Sequence, residues 1–298
     1  MRIITGPEKQ KTVATEASFK GIGLHTGSKC TLTFKPAPAD HGVTFIRTDL
    51  PGKPVLHADS AHVTSVIRGT TLSEGGDKDA AAKVHTVEHV LSALAGLGLD
   101  NMVIELDANE PPVADGSSYP FIETLRKAGL RELDAPRRFF QPDRMEYVGG
   151  ETGTLYLVEP SDDYSVDVTI DFPHPLIGRQ SLVSAVTPET YVADFSRART
   201  FCFDFEVEAL KRQGLAKGGS LDNAVVVGAD RIHNREKVLR FPDEFVRHKA
   251  MDLVGDLFLL GMPLKAKITA VRVGHGYNVN LVKKIAEQLE ACRASTPV

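Results

Sequence analysis

The chain of 298 residues has no tryptophan, three cysteines and no excess of basic residues. The missing tryptophan excludes no class of function. Cys30, Cys202 and Cys292 are odd in number and far apart, which argues against a disulfide framework and for a reducing cytoplasm. No two of them have zinc-finger spacing, so a metal site would have to be built from histidine and carboxylate. The formal net charge of -4 argues against a nucleic-acid partner, which needs clustered lysine and arginine. No run approaches the roughly 18 apolar residues of a membrane span. Residues 1–27 alternate polar and apolar and lack the apolar block of a secretory signal.

What is present describes a soluble globular protein. At 42% hydrophobic and 25% charged, the chain can build a real core, and its length suits one large domain or, slightly better, two. Residues 12–15, 30–34 and 43–46 are β-branched or aromatic runs separated by Gly, Pro and Asp, and read as strands. His85-Thr86-Val87-Glu88-His89 then opens an apolar run with helical period that ends at Gly96 and Gly98. A strand over 102–106, a loop with Pro111-Pro112 and a helix over about 118–127 follow. Residues 130–138 are charged, carry Pro136 and read as the boundary between domains 1–134 and 135–298.

The second half repeats this order. Strands are expected over 139–148, 154–158 and 165–172, then an irregular stretch over 187–228. A helix over 243–260, a strand over 266–273 and a final helix over 277–291 complete it. Laying His85 on His248 aligns His89 with Asp252, Leu94 with Leu257 and Gly98 with Gly261. The expected fold is therefore α+β, with two similar sheet-plus-helices domains from an internal duplication. Packed through their helices, the two halves would bring both central helix starts together.

Those starts carry the candidate chemistry. His85 and His89 are spaced one helical turn apart, and with Glu88 they match the H-x-x-E-H pattern of inverzincin peptidases. His248 and Asp252 are also i and i+4 and can chelate one ion, with Asp256 a turn further on. The plain alternative for these is a solvated polar face, but the segment is otherwise apolar and a buried lone carboxylate is costly. Gly274-His275-Gly276 places a histidine at a strand-to-helix junction, where it is either a surface loop residue or an acid–base group. Residues 196–203, Ser-Arg-Ala-Arg-Thr-Phe-Cys-Phe, suit phosphate and ring recognition or an exposed edge strand. Gly23-Leu24-His25-Thr26-Gly27 and Gly218-Gly219-Ser220 are turns able to border a ligand.

Taken in order, these stretches, with Thr86-Val87-Glu88-His89, Ala114-Asp115-Gly116-Ser117 and Phe245-Val246-Arg247-His248-Lys249, span nearly the whole chain. They resemble the UDP-3-O-acyl-N-acetylglucosamine deacetylases, zinc enzymes of lipid A synthesis in Gram-negative bacteria. The resemblance implies helices sandwiched between two sheets, and an inserted βαβ piece, here within 199–227, that forms a passage for the acyl chain. It implies zinc ligands at His89, His248 and Asp252, with ferrous iron suiting the same set. It places the base at Glu88 and a cationic histidine at His275, kept protonated by Asp256. Thr200 would stabilise the oxyanion, Lys249 would face the substrate's diphosphate or nearby oxygens, and Phe201, His25 and Gly219 would contact substrate. A cytoplasmic monomer is expected. Position 202 departs from the family's glycine with cysteine, and His85 receives no role. Two other readings stand beside this one: the peptidase built on His85, Glu88 and His89, and a sugar-nucleotide or acyl-chain binding protein with a structural ion.

Overall fold

The computed structural model describes residues 2–150 and 153–295, with the side chains of 290–295, Cys292 among them, outside that description. The helices are α1 (Glu88–Leu97), α2 (Tyr119–Ala128), a single turn α3 (Pro188–Thr190), α4 (Asp204–Arg212), α5 (Glu244–Leu257) and α6 (His275–Ser295). The molecule is mixed α and β.

Two five-stranded sheets dominate. The first has the order Ala17–Ile22, Lys29–Pro36, Met102–Leu106, Val43–Arg47, Val55–His57. The second has the order Glu146–Gly149, Leu155–Pro160, Ala266–Val271, Ser165–Asp171, Arg179–Ala185. In both, successive pairs run antiparallel, antiparallel, parallel, antiparallel. An inner strand of each sheet buries alternate residues, as a sheet with one face on a core requires: Cys30, Leu32 and Phe34 in one, Ala266, Ile268 and Ala270 in the other.

The central helices are buried almost all round, which marks them as core rather than surface elements. Only Ala95 of α1 and Arg247 and Lys249 of α5 are not buried. α1 packs along α5, and α5 lies on the strands Ser165–Asp171 and Arg179–Ala185. The approach is unusually close because of one glycine. A Cβ on Gly255 would stand 2.1 Å from the backbone oxygen of Glu88. Across the same contact Ser92 donates to the Met251 carbonyl at 2.8 Å. Both helical segments stop at left-handed glycines, Gly98 (φ 66°) and Gly261 (φ 70°), where only glycine takes the turn without strain.

Two expectations about helix starts need correction, and a stretch between them is more regular than its sequence suggests. α1 starts at Glu88, so His85 is not on it. Thr86 sits at φ 54°, a left-handed conformation that cannot continue a right-handed helix. Residues 130–138, where the boundary between domains is expected, are regular structure: they lie in the strand Leu130–Gln141, paired antiparallel with Arg2–Val13. Its polar sequence hides it because, up to Arg138, none of its residues is buried. Pro136 is tolerated there at an irregularity in the register, opposite Lys9. The last helix begins at His275, so that residue occupies a helix N-terminus rather than a loop. Within the irregular stretch, Phe201–Phe203, α4 and the parallel strand Val225–Val227 form a βαβ piece, extended by Ile232–His233.

Candidate metal centre and catalytic site

The first turns of α1 and the middle of α5 meet where Gly255 lets them touch. His89, His248 and Asp252 converge there, all buried, with one ligand atom of each within 4.8 Å of the others. Asp252 Oδ1 lies 3.5 Å from His89 Nε2 and 3.4 Å from His248 Nε2. The two imidazoles meet edge to face, 5.1 Å between centroids. His248 Nδ1 lies 3.2 Å from the Ala198 carbonyl, which fixes that nitrogen as the protonated one and leaves Nε2 a free lone pair. Burial pushes the His248 pKa down to about 3, so the ring is neutral, as a metal ligand must be.

Asp252 is held ionised. Burial works against its charge, but the histidine edges and Lys249 around it bring its pKa well below the ordinary carboxylate value. Lys249 Nζ donates to Oδ2 at 2.9 Å, while buried Oδ1 has no hydrogen-bond partner among the described residues. A buried carboxylate oxygen without a partner is costly, and this one points between two imidazole nitrogens. The cluster therefore fits a divalent ion with an N,N,O protein set.

Two acid–base groups flank the cluster. Glu88 is buried at the first position of α1. Its Oε2 accepts from the Thr70 backbone N–H at 2.9 Å, and burial raises its pKa against the pull of His275 and His89. His275 Nε2 stands 3.8 Å from both Glu88 Oε1 and Asp252 Oδ2. Its Nδ1 donates to Asp256 Oδ2 at 2.8 Å. Burial alone would lower the His275 pKa, but Asp256 and then Glu88 outweigh it and raise the value to about 9. Asp256 is itself fixed by Thr70 Oγ1 at 2.6 Å and by Asn278 Nδ2 at 2.8 Å.

Thr200 and Phe201 lie at the start of the βαβ piece. Thr200 donates its N–H to Gly116 O at 2.8 Å. Its neighbour Arg199 is locked to α5 by a buried pair with Glu244, Nε to Oε1 at 2.8 Å. The Phe201 ring sits 6.2 Å from that of His248, and Lys249 Nζ is 5.8 Å from its centroid. Cys202 follows on the same strand, half-buried, its thiol pKa raised by burial.

His25 and Gly219 are not part of the buried cluster. They belong to two loops that pack together: Lys217 N donates to His25 O at 3.2 Å and Gly218 N to Leu24 O at 3.0 Å. The glycine that this contact requires is Gly218, whose Cβ would stand 2.2 Å from Gly23 O, rather than exposed Gly219. A cavity of about 320 Å³ beside these loops is lined by His25, Thr26, His85, Thr86 and Lys217. His85 faces this cavity, 3.1 Å from Thr71 Oγ1, and burial lowers its pKa. The peptidase pattern that needs it on the same helix as His89 has no geometric basis here.

Thr70, Asn278, Gly255 and Glu110 escaped sequence reasoning. The first two are ordinary polar residues whose role exists only through contacts with Asp256 or Glu88. Gly255 had a signal, being a glycine inside an otherwise helical segment.

These elements define a class: an α+β protein with a buried His–His–Asp set suited to a divalent ion, flanked by a carboxylate and a carboxylate-held histidine. A family model described as LpxC, UDP-3-O-acyl N-acetylglycosamine deacetylase, matches residues 10–287, and the chain belongs to that family. Among its relatives, a UDP-3-O-acyl-N-acetylglucosamine deacetylase of Anaeromyxobacter sp. is 46% identical over 281 residues, covering 93% of this chain and 88% of the relative. Its counterpart in Bdellovibrio bacteriovorus is 45% identical over 276 residues, covering 93% and 89%. A bifunctional enzyme LpxC/FabZ of Chlorobaculum tepidum is 43% identical over 304 residues, covering 93% of this chain and 64% of the relative.

Proposed function

We propose that this chain hydrolyses the N-acetyl group of a UDP-3-O-acyl-N-acetylglucosamine, giving acetate and the free-amine UDP sugar, an early step of lipid A synthesis in a Gram-negative bacterium. Family membership supports the substrate class. The observation that carries the chemistry is the Oδ1 of Asp252, without a hydrogen-bond partner among the described residues, between His89 Nε2 and His248 Nε2.

In this reading His89, His248 and Asp252 hold one zinc ion, with ferrous iron as the alternative for the same ligands. Bound there, the ion would lower the pKa of a coordinated water to about 7 and polarise the acetamide carbonyl. Glu88 takes a proton from the attacking water; its raised pKa suits a general base working near neutrality. The Thr200 hydroxyl donates to the oxygen that becomes negative during attack. His275, charged through its bond to Asp256, gives a proton from Nε2 to the sugar nitrogen as the C–N bond breaks. Lys249 orients the cluster through Asp252 and faces the substrate's diphosphate. Phe201 packs on sugar or acyl chain, the βαβ piece takes the acyl chain, and His25 and Gly219 border the substrate from their loops.

The two halves, 1–134 and 135–298, are read as duplicated domains with helices between their sheets. The identical strand order and the matching glycine stops Gly98 and Gly261 support this. A monomer in the cytoplasm suits the nucleotide-sugar substrate and the free thiols of Cys30 and Cys202. Among the described residues no helix is long and apolar enough to cross a membrane.

The test is acetate release from UDP-3-O-acyl-N-acetylglucosamine, followed by mass spectrometry before chelation, after chelation and after adding zinc back. Activity lost and then recovered is expected. No acetate at any stage would point instead to a binding protein with a structural ion.

A further inference from the structure

Glu110 is fully buried and outside the metal cluster, yet its carboxylate is more densely bonded than any group in that cluster. Oε2 accepts from the Thr26 N–H and the Thr26 hydroxyl, each at 2.8 Å. The His25 N–H reaches both oxygens, at 3.0 and 3.1 Å. Oε1 also accepts from the Thr86 hydroxyl at 2.8 Å. Space for this carboxylate is reserved: a Cβ on Gly23 would stand 2.4 Å from Oε2.

The bond to Thr86 matters because of that residue's backbone. At φ 54° Thr86 is a β-branched residue in the left-handed region, an outlier that persists only where the surroundings impose it. It lies two residues before Glu88. Immediately after it, Val87 N donates to Thr70 O at 3.1 Å and Thr70 N returns a bond to Glu88 Oε2 at 2.9 Å. The left-handed residue therefore sets where α1 starts and how the Glu88 carboxylate is presented. Gly69 closes the gap behind, since a Cβ there would be 3.0 Å from Glu88 Oε1 and 3.3 Å from Thr86 Oγ1. The same carboxylate fixes the loop carrying His25 and Thr26, which lines one cavity together with Thr86.

We propose that Glu110 is a positioning residue for deacetylation: through the Thr86 hydroxyl it holds the left-handed turn that aims Glu88 at the reacting water. This rests on the reading of Glu88 as the base. A purely structural anchor would lower thermal stability and leave the turnover of the folded protein unchanged. A positioning residue changes kcat at constant metal content, because small displacements of a catalytic group are costly to rate.

Thr86→Val removes the hydroxyl and keeps the shape, while Thr86→Ser keeps the hydroxyl. Each is measured for kcat, KM, bound metal and Tm. The expected result is a kcat about 10- to 100-fold lower in Thr86→Val, with KM within about threefold and metal unchanged. Recovery to within about threefold of wild-type kcat is expected in Thr86→Ser. Glu110→Asp, which withdraws the carboxylate by one methylene, should lower kcat as well. The double variant Thr86→Val with Glu110→Asp should be no worse than the poorer single, since both break one interaction. A folded, metal-loaded Thr86→Val within about twofold of wild type overturns the proposal, as does a serine variant as impaired as the valine one. An inactive wild type would overturn the deacetylase reading and this one together, whereas active, unimpaired variants overturn this one alone.

Discussion

His248 and His275 are both buried and take opposite charge states, and the reason lies in their nearest partners. His248 has a carboxylate, Asp252, at 3.4 Å, but burial, with His89 and Lys249 beside it, outweighs that pull and the ring is neutral. His275 has a carboxylate at 2.8 Å, and charge prevails. Its folded pKa, raised from 6.5 to about 9, means that the proton is kept through the neutral range and lost as pH rises through the folded value. A bound dication nearby can only lower that value. The kcat/KM profile should therefore be bell-shaped, its alkaline limb no higher than about 9 and its acid limb set by Glu88. In His275→Ala the alkaline limb should disappear, and its survival unchanged would count against His275 as the acid.

At the scale of elements, the site depends on how closely α1 and α5 cross. Alanine at 255 gains up to ~1 kcal/mol of helix propensity, but its Cβ would lie 2.1 Å from a backbone oxygen that cannot rotate away. Overpacking of this kind costs about 1–3 kcal/mol, so the clash outweighs the propensity. Gly255→Ala should lower Tm by a few degrees and lower kcat, because the displaced backbone is that of Glu88. A Tm equal to or above wild type would contradict this. The i, i+4 pairing of His248 with Asp252 could be read from spacing, because an apolar helix fixes which residues share a face. The place of His85 could not, because it depends on the sign of φ at Thr86, and nothing in the identity of a threonine announces a left-handed residue. The strand Leu130–Gln141 was hidden for a different reason: pairing with Arg2–Val13 is made by backbone atoms, and its exposed side chains leave little apolar alternation to detect. Glu110 and Thr70 act through contacts between segments far apart in sequence, which no local pattern encodes.

At the scale of the molecule, the two sheets share one strand order, and the candidate ligand set is divided between two helices, α1 and α5, that pack on each other. Glu88 and His89 come from the first half, and His248, Asp252, Asp256 and His275 from the second. Neither half contains a complete set, so the site exists only where both halves are in place. That division also separates this site from a single-helix histidine motif, in which His85 and His89 would share the ion. Metal content and acetate release, measured side by side in His85→Ala and His248→Ala, test the ligand assignment most directly. The expected result is a His85→Ala protein with near wild-type metal and turnover, and a His248→Ala protein that has lost its metal and at least about 100-fold in activity, since losing a ligand exceeds the 10- to 100-fold cost of disturbing a ligand's support. Metal retained at full stoichiometry in His248→Ala, or lost in His85→Ala, would contradict it.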